Sequence, residues 1–199
     1  MKIGIIGAGA IGQAVAKQVV TAGHEALLSN SHGPDSLRDV VRELGPRARA
    51  VTTQEATGAD IVVLSVPWAA VPQALANLPA WNNRILVDAT NPVVQPGFRL
   101  AELGGRTSSQ IVASLAPGAR VVKAMNTLLA KVLGSNPREA GGNRVVFMSG
   151  DDATAKKSVS GLLEEFGFAT IDLGTLAIGS GLQQFPGGPL PILNLIKVA

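Results

Sequence analysis

At 199 residues, with 46% hydrophobic side chains and a net charge of +3, the chain is sized for one domain with a real core and is too apolar to be disordered. Cysteine and tyrosine are absent and histidine numbers two, which excludes disulfides, a thiolate nucleophile and a tyrosine proton donor, and gives no reason to expect a metal. Charges are scattered singly and aromatics make up 4%, against a nucleic-acid reader; no apolar run reaches the ~18 residues of a membrane span.

The first strand is short and apolar (Ile3, Ile5, Ile6) and follows Met1-Lys2 directly, which leaves no room for a signal peptide and makes a cytoplasmic location the expectation. It breaks at Gly7-Ala8-Gly9-Ala10-Ile11-Gly12, and a helix follows with one apolar face at Ile11, Ala14, Val15, Val19 and Ala22. Gly23 is placed to stop that helix in a left-handed cap. This order is the one a dinucleotide-binding turn needs. Gly7 allows the tight turn, Gly9 the approach of a pyrophosphate, and Gly12 the packing of helix on strand. The helix N-terminus adds free amides and partial positive charge.

Residues 24–29 read as strand two, Ser36 to Leu44 as a short helix closed by Gly45-Pro46, and residues 50–52 as a brief third strand. Asp60 to Val66 is a stronger strand, a continuous β-branched run of the kind buried on both faces. Strands at 84–88 and 119–124 flank a helix at Ser108 to Leu115. Past Gly134 the spacing predicts a strand over 144–149, a helix capped by Asp151 or Asp152 with the stripe Val159, Leu162, Leu163 and Phe166, and a last strand over 168–173. The alternation predicts an α/β, Rossmann-type doubly wound sheet, mainly parallel. We read residues 1–134 as the dinucleotide-binding core and 135–199 as a C-terminal βαβ extension of the same sheet plus a terminal helix. That helix is expected over 187–198, where apolar residues (Ile192, Leu193, Leu195, Ile196, Val198) cover nearly all sides. A core helix, a subunit interface forming a homodimer, and a wall over the reacting ring are the roles open to it.

Where strand two ends, an NAD-binding protein usually places a carboxylate on the ribose 2′-hydroxyl; this chain offers Ser29, Asn30, Ser31 and His32. Small polar donors in place of a repelling carboxylate favour NADP(H) over NAD. Arg38, one turn on, is a second candidate for the 2′-phosphate, and Asp35 a candidate cap for the next helix. Strand four runs into Val66-Pro67-Trp68, beyond the carboxyl end of the sheet where ligands sit. Trp68 either borders the nicotinamide ribose or ring, or packs on the helix around Val71 and Leu75. Asn91 and Asn126, after strands five and six, lie on the same rim and can each donate to and accept from a carboxamide or a planar ring. Lys123 is expected to pair with Asp88 rather than act in catalysis.

The assembled motifs resemble the coenzyme F-420-dependent NADP oxidoreductase family. They are Gly7 to Gly12, Ser29 to Pro34, Val66-Pro-Trp68, Asp88 to Pro92, Val122 to Thr127, Gly150 to Asp152, and a tail from Phe166 to Asn194. The chain departs from that family at His32, where similar proteins carry Arg. The resemblance implies that Trp68, Pro72, Val93, Ala124 and Ala130 also border the nucleotide, and that the second redox partner is coenzyme F-420, FMN or FAD. Hydride transfer between stacked rings at roughly 3–3.5 Å needs positioning rather than a strong protein acid. The sequence supplies none, so Trp68, Asn91 and Asn126 are read as orienting the rings. Reduction of ferric iron through flavin, reduction of an imine, and a non-enzymatic NADP(H)-sensing module are the rival readings.

Overall fold

The computed structural model describes residues 1–198. Six strands run parallel in the order β3-β2-β1-β4-β5-β8: β1 (Lys2–Ile6), β2 (Glu25–Ser29), β3 (Ala48–Ala50), β4 (Ile61–Leu64), β5 (Ile85–Asp88) and β8 (Arg120–Ala124). The chain winds outward from β1 in one direction, then returns to its other side at β4, so the reversal of strand order falls between β1 and β4. A two-stranded hairpin, β6 (Val93–Val94) and β7 (Arg99–Leu100), stands outside the sheet after β5.

Alternation sorts the strand residues onto two cores. Ile61 and Val63 face one layer, with Ile3, Ile5 and Val87, and pack against α1 (Ala10–Thr21) and α7 (Ala153–Phe166). Val62 and Leu64 face the other, with Leu86 and Val121, against α4 (Val71–Leu75) and α5 (Ser108–Leu115). Burial on both faces is why these strands read as unbroken apolar runs rather than alternating ones.

The C-terminal extension continues this sheet with a change of direction. Strand β10 (Gly142–Gly150) pairs antiparallel with β8, and β11 (Ala169–Asp172) pairs parallel with β10 through α7. Asp152 is the residue that caps α7, accepting from the Ala155 amide at 2.7 Å. Asp151 instead accepts from the Leu176 amide at 2.9 Å and so closes the start of α8 (Leu176–Gln183).

Three expectations are corrected. The third strand is Ala48–Ala50 rather than 50–52, because Thr52 leaves the sheet to cap α3 (Thr53–Thr57), bonding Glu55 in a reciprocal capping box. The helix of 36–44 begins as a 3-10 turn at Pro34–Leu37 and becomes α2 at Arg38–Leu44. The terminal helix over 187–198 is absent: the segment is turns ending in β12 (Ile196–Val198), antiparallel to β10. Pro189 and Pro191 lack the amides a helix interior needs, and Ile192 sits at φ 65°, left-handed, so the apolar pattern never becomes a helical face. The last helix is α8, upstream. Arg144 clasps the ends of this extension, donating to Glu139 in β9 (Arg138–Glu139) and to Asn194.

Candidate functional site

The loop from β1 to α1 is shaped by contacts that a side chain would destroy. Gly7 has φ +105°, and a Cβ there would lie 2.4 Å from the Ser65 carbonyl oxygen. A Cβ on Gly12 would lie 1.9 Å from the Gly7 oxygen, so helix and turn touch backbone to backbone. Ser65 Oγ, from the neighbouring strand end, donates to that same Gly7 oxygen at 2.8 Å. Gly9 is different: nothing of the protein lies within 4 Å of where its Cβ would be. It is the N-cap of α1, with no side-chain cap and no acidic residue in the first turn. The amides of Ala10, Ile11 and Gly12 are therefore left without intrahelical partners, at the positive end of a 12-residue helix. An anionic diphosphate fits this cradle in both charge and space.

The cradle is the floor of a cleft of about 740 Å³, at the β1/β4 reversal point. Gly7, Ala8 and Gly9 line it, with Asn30, Ser31 and His32 on one side and Val66 and Pro67 on the other. Ala74 and Leu78 line it beside the amides Gln73 and Asn77, and none of its lining residues is a carboxylate. The four candidates at the end of β2 divide. Ser29 is fully buried and its hydroxyl donates to the Ile5 carbonyl at 3.1 Å, which corrects the expectation that it faces a phosphate. Its side chain points inward because strand alternation puts it on the core face. Asn30 shapes the loop, accepting from the His32 amide at 2.9 Å and donating to Ser36 Oγ at 2.8 Å. Ser31 and His32 are exposed on the cleft wall, and neither side chain has a protein partner among the described residues. Arg38 lies outside the cleft lining and pairs with Asp35 at 2.6 Å across one turn, so Asp35 does not cap a helix.

Asn91 and Asn126 lie outside the cleft lining, just beyond the carboxyl ends of β5 and β8, among groups already engaged with one another. Asn91 Nδ2 donates to the Asn126 carbonyl at 2.8 Å, and Asn126 Nδ2 donates to Asn91 Oδ1 at 2.9 Å and to the Gln183 carbonyl at 2.7 Å. Beneath them Lys123 and Asp88, facing residues of β8 and β5, form a fully buried ion pair at 3.2 Å. Asp88 also accepts from Thr90 Oγ1 at 2.6 Å and Ser109 Oγ at 2.5 Å, and Lys123 donates to the Thr90 carbonyl at 2.9 Å. Lys123 is thereby a pin for the turn that carries Asn91. Trp68 is half-buried against the core cluster holding Val71 and Leu75, outside the cleft lining. Pro72 opens α4 on the surface, and Ala124 is buried at the end of β8. Val93 belongs to the hairpin, and Ala130 begins α6 (Ala130–Leu133). The sequence carried no sign of Gln183 or of the Phe185 amide, which donates to Asn91 Oδ1 at 3.1 Å.

Among the described residues no group of His, Asp and Glu side chains is placed to hold a metal, and no helix is long and apolar enough to cross a membrane.

Residues 2–92 match the family described as NADP oxidoreductase, coenzyme F420-dependent. The fold superposes on a hypothetical protein from Sinorhizobium meliloti with a TM-score of 0.93 and 44% identity, covering 99% of this chain and 95% of that one. A protein from Arthrobacter sp. FB24, provisionally described as an F420-dependent NADP reductase, superposes with a TM-score of 0.80 and 29% identity over 92% of this chain and 89% of its own. The metalloreductase STEAP3 of Rattus norvegicus is 29% identical over 191 residues, 96% of this chain and 37% of that protein. The chain spans 37% to 58% of the length of the curated relatives it matches.

Proposed function

We propose that the chain, whose residues 2–92 match the coenzyme F420-dependent NADP oxidoreductase family, moves hydride between NADP(H) and a second planar ring, a deazaflavin of the F420 type or a flavin such as FMN or FAD. The observation that carries the cofactor half is Gly9: a position with open space on the uncapped end of α1, in a cleft with no lining carboxylate. The diphosphate would lie over Gly9, Ala10 and Ile11, and Ser31 and His32 would receive the 2′-phosphate. From there the dinucleotide would cross the β1/β4 reversal and bring its ring past Val66 and Pro67 toward Asn91.

When bound, NADPH supplies a hydride from its ring, and the acceptor ring takes it with a proton from water. The protein's own part is to orient and to exclude competing chemistry. Among the described residues no side chain at the ring end is free to act as a proton donor: Lys123 is fixed to Asp88, His24 pairs with Glu165 at 2.7 Å away from the cleft, and His32 stands at the adenosine end. A carbonyl reductase would need such a group; transfer between two rings does not. The likeness to a metalloreductase favours a second reading, in which a flavin passes the electrons on to ferric iron.

Following NADPH absorbance with F420, FMN, FAD and FAD plus a ferric chelate in turn tests the proposal. Turnover with at least one free ring acceptor is the expected result. Tight NADPH binding with no turnover on any acceptor would overturn hydride transfer in favour of a nucleotide sensor.

A further inference from the structure

The ring end of the site has a fixed hydrogen-bonding polarity. Three carboxamides, Asn91, Asn126 and Gln183, are linked in series, and each is oriented by a backbone group whose own polarity is not in question. Gln183 is fully buried; its Nε2 donates to the Phe147 carbonyl at 3.0 Å and its Oε1 accepts from Ser149 Oγ at 2.7 Å. Nε2 also donates to Asn126 Oδ1 at 3.2 Å, with the Lys123 carbonyl a longer alternative acceptor at 3.4 Å. Asn126 Nδ2 must donate to the Gln183 carbonyl, and its second hydrogen goes to Asn91 Oδ1. Asn91 Oδ1 accepts a second bond from the Phe185 amide, so both of its lone pairs are filled. Asn91 Nδ2 gives one hydrogen to the Asn126 carbonyl. Among the described residues one donor hydrogen of the three carboxamides remains unmet: the second N–H of half-buried Asn91, just beyond the carboxyl end of β5.

We infer that Asn91 offers the bound dinucleotide a donor and never an acceptor, and that this N–H holds the carbonyl oxygen of the nicotinamide carboxamide. Gln183 and the backbone of Phe185 are positioning groups, since they keep Asn91 from turning over to present its oxygen. The inference rests on NADP(H) lying in the cleft as proposed above. It assigns the carboxamide one orientation, with its carbonyl oxygen turned toward Asn91.

Calorimetric titration of the full chain with NADP⁺ and two analogues tests this. The 3-acetylpyridine analogue keeps the carbonyl and lacks the amine; the 3-aminopyridine analogue keeps an amine and lacks the carbonyl. The acetylpyridine analogue should bind within about threefold of NADP⁺ and the aminopyridine analogue roughly three- to tenfold more weakly, the worth of one hydrogen bond. In Asn91→Ala the two analogues should bind alike. Equal binding of both by the unaltered protein, or a gap that survives in Asn91→Ala, overturns the polarity while leaving the cleft reading intact. Failure of all three dinucleotides to bind overturns the cleft reading and this inference together.

Discussion

The two ends of the candidate site are built on opposite terms. At the adenosine end the polar groups are idle: Ser31 and His32 stand on the cleft wall with no protein partner among the described residues, and Gly9 faces open space. At the ring end nearly every polar group is engaged, in the Lys123–Asp88 pair and the Asn91–Asn126–Gln183 series. The first end is kept free for a ligand and contributes little to stability. The second is part of the core's own hydrogen bonding and leaves one Asn91 N–H without a protein partner among the described residues. Substitutions at the two ends should therefore separate affinity from stability.

The largest stability effect is expected at the ring end. Lys123→Met leaves Asp88 buried without its counter-charge and should cost about 3–5 kcal/mol, read as a drop in the midpoint of thermal or denaturant unfolding. An unchanged midpoint would break the comparison. At the adenosine end His32→Ala should leave that midpoint where it was and reduce the preference for NADP(H) over NAD(H) several-fold. A His32→Ala protein with the original cofactor preference would remove His32 from the phosphate site. The smallest effect is expected at Glu55, on the capping box of α3 beside the cleft. The Thr52 backbone amide, then the Thr52 hydroxyl, hold the Glu55 carboxyl below its ordinary value of 4.5. A lowered value in the folded state gives stability that is present above 4.5 and is lost as the pH falls through the folded value. Glu55→Gln should accordingly lower the unfolding midpoint slightly at neutral pH and bring the two proteins together in acid, as unfolding followed across pH would show.

The contrast between the ends also governs what was legible in the sequence. Gly7, Gly9 and Gly12 could be read because their task is local: three positions in one turn, each with a steric reason visible in the spacing. Strands buried on both faces announced themselves as apolar runs. Ser29 was misread because it sits on the last residue of β2, where one step along the strand exchanges core for solvent. The terminal helix was expected because Pro189 and Pro191 also suit a first helical turn, and the left-handed conformation of Ile192 leaves no mark in the sequence. Helix α8 was passed over for the converse reason. Gly179 lowers its helical propensity, yet a Cβ there would meet Ser149 Cβ at 2.4 Å, so the glycine lets α8 lie close on β10. Gln183 reaches Asn126 across 57 residues of sequence, and no pattern in either segment points to the other.

The most direct test of the central claim is calorimetric titration of NADPH into the unaltered protein and into Gly9→Val, with thermal unfolding of each run alongside. A Cβ at Gly9 would have open space beyond its own chain neighbours, so the fold should be little affected while the diphosphate is displaced. The account predicts one NADPH bound per unaltered chain and at least about tenfold weaker binding by Gly9→Val. Equal affinity in the two proteins, or no binding to the unaltered one, would contradict it.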